Sequence, residues 1–166
     1  MKSIPEAGVT LGVLVVIWMF IMGLTGWYKH PVLFNLFWIV ILIQIGVMIW
    51  GLTLTAREGR GYGGQVGAGV LMSLIGGVTI FLGSLLVTTV VFPSYFAEVR
   101  QLSEEMLRAQ GMSEEMIKAQ LGQQAAFQTP FMSALMGFLG TAVTGLLGSL
   151  IIGAFIRKKA VAAPQP

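Results

Sequence analysis

Cysteine and aspartate are absent from this 166-residue chain, and histidine occurs once. Without cysteine there can be no disulfide, no thiolate metal site, no cysteine-held iron–sulfur cluster and no cysteine nucleophile. The single imidazole, His30, has no paired carboxylate near it in sequence, so it cannot build a zinc site from local residues. It is read as an interfacial hydrogen-bonding group. Charge is scarce too: 10% of the residues are charged, against roughly 25% in average soluble domains, and 55% are hydrophobic. With a mean hydropathy of +0.83, such a chain cannot cover its own surface in water. A net charge of +3 would suit nucleic acid only if the basic residues formed a dense patch. They stand instead at the ends of apolar runs, as membrane insertion requires, so no nucleic-acid partner is expected.

What is present is a set of long apolar runs. A spanning helix needs about 20 predominantly apolar residues, and open sheets cannot lie in lipid because their edge groups would stay unsatisfied. Four segments qualify, at about 9–27, 31–54, 66–92 and 130–156. The first is too long for the core of a signal peptide and lacks a small-x-small cleavage pattern, so it reads as a retained span. Tyr28-Lys29-His30-Pro31 is so short a joint that it predicts an antiparallel helical hairpin, with Pro31 in a first helical turn. The joint at 55–65 carries Arg57, Glu58 and Arg60, then Gly61, Gly63 and Gly64, and reads as a flexible charged turn.

The longest polar stretch, 94–129, reads as two amphipathic helices. Tyr95, Val99, Leu102, Met106 and Ala109 form one apolar stripe. Gly111 is a stop signal, and Ser113 is an N-cap with Glu114 and Glu115 in the positive first turn. Met116, Ile117, Leu121 and Ala125 continue an apolar face, and Pro130 opens the last span. Lys2, Arg57, Arg60, Arg157, Lys158 and Lys159 fall on one side of this topology, and Lys29, Arg100, Arg108 and Lys118 on the other, mixed with glutamates. The bias predicts cytoplasmic termini and an extracytoplasmic position for 94–129. The residues 160–166 are expected to be disordered.

No charged side chain falls in the middle of a span, although such groups mark ion and proton pathways. The deepest polar side chains are Asn35 and Gln44 in the second span, and Thr79 and Ser84 in the third. Asn35 and Gln44 are candidate interhelical polar contacts, worth roughly 0.6–2 kcal/mol each. The carboxylate pairs Glu104-Glu105 and Glu114-Glu115 diverge around their helices and read as solvated faces. Gly61-Tyr62-Gly63-Gly64 lacks the pattern of a phosphate loop. Every fourth residue of the last span is small: Ser133, Gly137, Thr141, Gly145, Ser149 and Gly153, with Gly140, Thr144 and Gly148 beside them. Gly69, Ser73 and Gly77 form a shorter row in the third span. Small residues at this spacing let helices approach closely. The two rows are expected to pack on each other within the chain, or else against another subunit. Gly76-Gly77 is the one candidate break in a span.

Several local patterns resemble a bacterial family of membrane proteins of unknown function, domain of unknown function forty-one ninety-nine. They are Arg57 with the glycine-rich turn, Pro93-Ser94-Tyr95, Gly111-Met112-Ser113-Glu114-Glu115, Pro130, Gly145, Ser149-Leu150-Ile151 and Lys158-Lys159. The resemblance implies four spans with a helical extracytoplasmic segment between the third and fourth. It implies no catalytic residue.

The expectation is therefore an all-α, integral membrane four-helix bundle, a single membrane domain over 1–166. An amphipathic extracytoplasmic helical hairpin stands between spans three and four. The chain is expected to lie in the inner membrane with both termini cytoplasmic, to carry no cofactor or metal, and not to be an enzyme. Its expected partners are the lipid bilayer and other membrane protein subunits, within which it serves as a non-catalytic accessory or structural subunit. The alternative is a small oligomeric transporter or channel using Asn35, Gln44 and the threonines.

Overall fold

The computed structural model describes residues 2–156. Arg157, Lys158, Lys159 and the tail at 160–166 lie outside the described residues, and with them the expected C-terminal basic cluster. The described residues fold into helices joined by short turns: α1 (Ser3–Thr25), α2 (Ile39–Arg57), α3 (Tyr62–Leu86), α4 (Tyr95–Ala109), α5 (Glu114–Ala125) and α6 (Pro130–Phe155). Four stretches are long and apolar enough to cross a membrane, Ser3–Thr25, Leu33–Arg57, Tyr62–Val91 and Pro130–Phe155.

Three of the boundaries differ from the sequence expectation. α1 begins at Ser3 rather than near residue 9, because Ile4, Ala7 and Leu11 are buried and carry the helix back toward the N-terminus. Ser3 Oγ donates to Glu58 Oε1 at 2.5 Å, which ties the start of α1 to the end of α2. The joint after α1 is not a simple helix-to-helix turn. Gly26, at φ 69°, ends α1, and short 3-10 turns follow at Trp27–Lys29 and Leu33–Trp38 before α2 begins. Pro31 thus sits in a turn outside any helix. The joint between α2 and α3 shrinks to four residues, 58–61. It is closed at Gly59 (φ 88°), whose N–H donates to Ala56 O while that of Arg60 donates to Thr55 O. This paired pattern is a Schellman cap, and it leaves Gly63 and Gly64 inside the first turn of α3.

α3 runs unbroken through Gly76-Gly77, so the expected break is not there. The irregularity comes later, as a π-helical turn at Val87–Val91, where Thr88 and Thr89 hydroxyls donate back to the Ser84 and Leu85 carbonyls at 2.7 and 2.6 Å. α3 is the helix on which α1 and α6 both pack, while α2 touches α1, α3 and α6 more lightly. The α1–α3 contact is a glycine seam. A Cβ on Gly12 would lie 2.3 Å from Thr79 Cβ, and one on Gly8 would lie 2.8 Å from the Met72 carbonyl oxygen. Leu11, Met48, Leu52 and Met72 fill the core between α1, α2 and α3.

α4 and α5 pack on each other through Leu107, Ile117 and Leu121, with Met112 against them. The turn between them is a second Schellman cap: Gly111 (φ 78°) donates to Arg108 O and Met112 N–H to Leu107 O. Ser113 caps α5, its Oγ accepting from Met116 N–H. Thr129 caps α6 in the same way, and Pro130 occupies the first turn. Leu107, rather than Met106 of the predicted stripe, faces the α5 contact.

Candidate functional site: an intramembrane cavity at Gln44

The small residues predicted on α3 and α6 fall into three groups. Gly69 and Ser149 meet, since a Cβ on Gly69 would lie 2.4 Å from Ser149 Cβ. Ser73 and Gly145 meet still more closely, and a Cβ on Gly145 would lie 1.8 Å from Ser73 Oγ. Gly77 faces the ring of Phe138, and Gly153 faces Gln65 Cβ. The beginning of the α6 row behaves differently. Ser133, Gly137 and Thr141 line a cavity of about 420 Å³ together with Gly140 and Thr144.

The cavity lies between α2 and α6, with α1 and α3 behind it. Phe37 and Trp38 of the 3-10 turn with Val40, Ile41 and Gln44 of α2 form one side, Ile80 and Ser84 of α3 with Thr88 of the π-helical turn another, and Val15 and Met19 the α1 side. Trp38, Met136, Gly140 and Thr144 are exposed, so the cavity opens onto the outer surface of the span helices. Its walls carry no ionisable group except the phenol of Tyr95. It extends from the end of the spans, at Tyr95 and Ser133, to Gln44 near the middle of the second span. On α6 the eleven steps from Ser133 to Thr144 make this about 16 Å.

Gln44 closes the deep end. Its Nε2 donates to the Thr141 carbonyl at 2.9 Å. A carbonyl only accepts, so this contact fixes which side of the amide is nitrogen. The Oε1 accepts from Thr144 Oγ1 at 2.8 Å, but that single hydroxyl proton is contested by the Gly140 carbonyl at 2.7 Å. Gln44 is 7% exposed. One of its two N–H groups has no partner among the described residues. Asn35 is placed elsewhere: it is exposed in the 3-10 turn, and its amide donates to Val32 O of the same turn at 3.4 Å. The expected interhelical contact at Asn35 is therefore replaced by a local one, because the second span has not yet become an α-helix there.

A second buried polar pair lies toward the other end of the spans. Thr55 and Gln65 are both fully buried, Thr55 Oγ1 donates to Gln65 Oε1 at 2.6 Å, and Gln65 Nε2 has no partner among the described residues.

The mouth of the cavity adjoins the junction between α4 and the turn after α1. Tyr28, 4% exposed, donates its hydroxyl to the Glu98 carboxylate. Lys29 Nζ lies 3.0 Å from the same carboxylate, and Ser94 Oγ donates to it at 3.0 Å. The Tyr28 hydrogen bond, then that of Lys29, holds the Glu98 carboxyl below the usual carboxylate range. Burial and the Glu98 carboxylate push the Tyr28 phenol well above its usual value, and burial raises that of Tyr95. The rings of Tyr28 and Tyr95 stand 4.9 Å apart. On the far side of α4, Arg108 Nη2 bridges Glu104 at 2.9 Å and Glu114 at 3.1 Å, so those carboxylates serve an exposed ion-pair network. His30 is exposed, its Nδ1 accepting from Val32 N–H at 3.3 Å. Among the described residues, no three His, Cys, Asp or Glu side chains come together as a metal site.

A family model, described as "Protein of unknown function (DUF4199)", matches residues 6–158. The chain belongs to this family. The match takes in the first span from Glu6 onward, the other three spans, the α4–α5 segment and every residue of the cavity wall. No curated protein and no solved structure matches the chain.

Sequence reasoning missed the cavity because its walls come from four helices far apart in the chain. It found Gln44, a lone amide in an apolar run, but missed the α1 seam. The Gly8 to Gly12 spacing was the available signal for that contact.

Proposed function

We propose that this protein is a non-catalytic accessory or structural subunit of a larger assembly in the inner membrane. In this reading the four spans form a bundle, both termini are cytoplasmic, and α4–α5 is an amphipathic hairpin on the outer side. The observation that carries it is the hairpin's unfinished apolar surface. Met106 is 37% exposed, Met116 is 54% exposed, and Phe127 just beyond α5 is 57% exposed, all outside the spans, where lipid does not automatically cover them. The hairpin is held to the rest of the chain at its base, by Tyr28, Lys29 and Glu98, which leaves this surface for a partner subunit. Lys2, Arg57 and Arg60 all fall at one end of the spans, which supports cytoplasmic termini. The test is gentle detergent extraction of the tagged protein from its native membrane, followed by weighing the intact particle and identifying its components. Stoichiometric partners that crosslink to position 116 support the reading, and a lone monomer or homo-oligomer refutes it.

The cavity favours a second reading, a small oligomeric transporter or channel, because substrate sites of transporters lie near the bilayer midplane. Reconstituted protein in which Gln44→Leu leaves flux unchanged would remove that pathway.

A further inference from the structure

We propose that the cavity between α2 and α6 is a binding site for a neutral, carbonyl-bearing lipid of the isoprenoid quinone class. This inference is independent of the subunit reading. A volume of about 420 Å³ falls within the about 300–1,000 Å³ usual for small-molecule sites. Its walls lie within or at the end of the membrane spans and open toward lipid, so a ligand enters from the bilayer. They offer no cation or anion to pair with a charged headgroup, which favours a neutral ligand over a phospholipid or fatty acid.

Two residues of its wall carry donors with hydrogen-bonding capacity to spare. Ser84 is 4% exposed, lines the cavity, and its hydroxyl makes no hydrogen bond within the described residues. Gln44 has an N–H to spare, as counted above. In an apolar cavity such donors gain from a ligand carbonyl as acceptor. These donors lie deep. Ser84 stands seven residues inside Val91, about 10 Å along the helix, and Gln44 is deeper still. The ester carbonyls of glycerolipids belong to the interfacial region, whereas quinone carbonyls sit on an apolar ring that enters the hydrocarbon. Phe37, Trp38 and Tyr95 supply aromatic faces to the same cavity.

The test uses purified protein in mild detergent, menaquinone-4 and dioleoylglycerol as separate probes, and intact-mass measurement of the bound species. One menaquinone-4 per chain is expected, with dioleoylglycerol bound much more weakly. Gly140→Leu should abolish binding by filling the cavity, and it is expected to fold because a Cβ there meets no atom within 4 Å. Ser84→Ala removes one oxygen and should weaken binding about three- to tenfold, the loss of one neutral hydrogen bond. It keeps the test decisive should Gly140→Leu fail to fold. Three results overturn the proposal: no menaquinone-4 adduct on the parent protein, undiminished binding to both variants, or equal binding of dioleoylglycerol.

Discussion

Replacing Gly145 by alanine puts the α3–α6 contact under direct strain. The new Cβ would stand 1.8 Å from Ser73 Oγ and 2.2 Å from Ser73 Cβ, against an optimal carbon–carbon separation of about 3.5–4.0 Å. A change of rotamer can move Oγ away, but Cβ is fixed by the backbone, so the helices themselves must part. Ser73 and Ser149 are fully buried along this line, and overpacking of such a site costs about 1–3 kcal/mol. Alanine returns up to about 1 kcal/mol of helix propensity. Gly140→Ala on the same helix provides the comparison, because there the Cβ meets nothing within 4 Å and only the propensity gain applies. Gly140→Ala is therefore expected to be more stable than Gly145→Ala by about 1–3 kcal/mol. Reversible unfolding in mixed micelles, followed by tryptophan fluorescence and circular dichroism, measures this difference. Moving the side chain across the contact, with Ser73→Gly added to Gly145→Ala, should recover most of the loss as a favourable coupling. Equal stability of the two alanine variants, with no coupling to Ser73, would refute the packing described.

The remaining predictions concern the polar contacts and the turn. Gln44→Leu should cost roughly 0.6–2 kcal/mol through loss of the bridge from α2 to Thr141 and Thr144, read in the same unfolding experiment. Glu98 has a folded-state pKa below its ordinary 4.5, so its contribution is fully present above that value and is lost as pH falls through the lowered folded value. Limited proteolysis of α4 should thus accelerate only at pH below about 4.5, and Glu98→Gln should flatten that dependence. Gly111→Ala forces a side chain onto a residue at φ 78° and should cost roughly 1–2 kcal/mol. The effect should appear as faster amide exchange in α4 and α5 while α1 and α3 stay protected.

The sequence showed its spans because a helix in lipid needs an unbroken apolar run of about 20 residues, and an open sheet cannot satisfy its backbone there. It showed its caps because Gly111, Ser113 and Pro130 each answer a local backbone need. It hid Leu33–Trp38, since a 3-10 turn and an α-helix share the same apolar composition there. It hid the early start of α1, because Ser3 and Glu58 are far apart in the chain and meet only in the fold. The partner of Gln44 was equally out of reach: the amide was visible, but not that Thr141 and Thr144 would stand opposite it.

The place of α3 between α1 and α6 has a consequence for biosynthesis. Chains emerge from the N-terminus, so α1, α2 and α3 enter the membrane while α6 is still unmade. Until the final span arrives, the Gly69–Ser73 face of α3 has Met48 of α2 beside it but lacks the close contact with Gly145 and Ser149, and the Gln44 amide lies in lipid without Thr141 or Thr144. A nascent chain interrupted at α5 therefore displays an unmatched amide in the middle of an apolar helix.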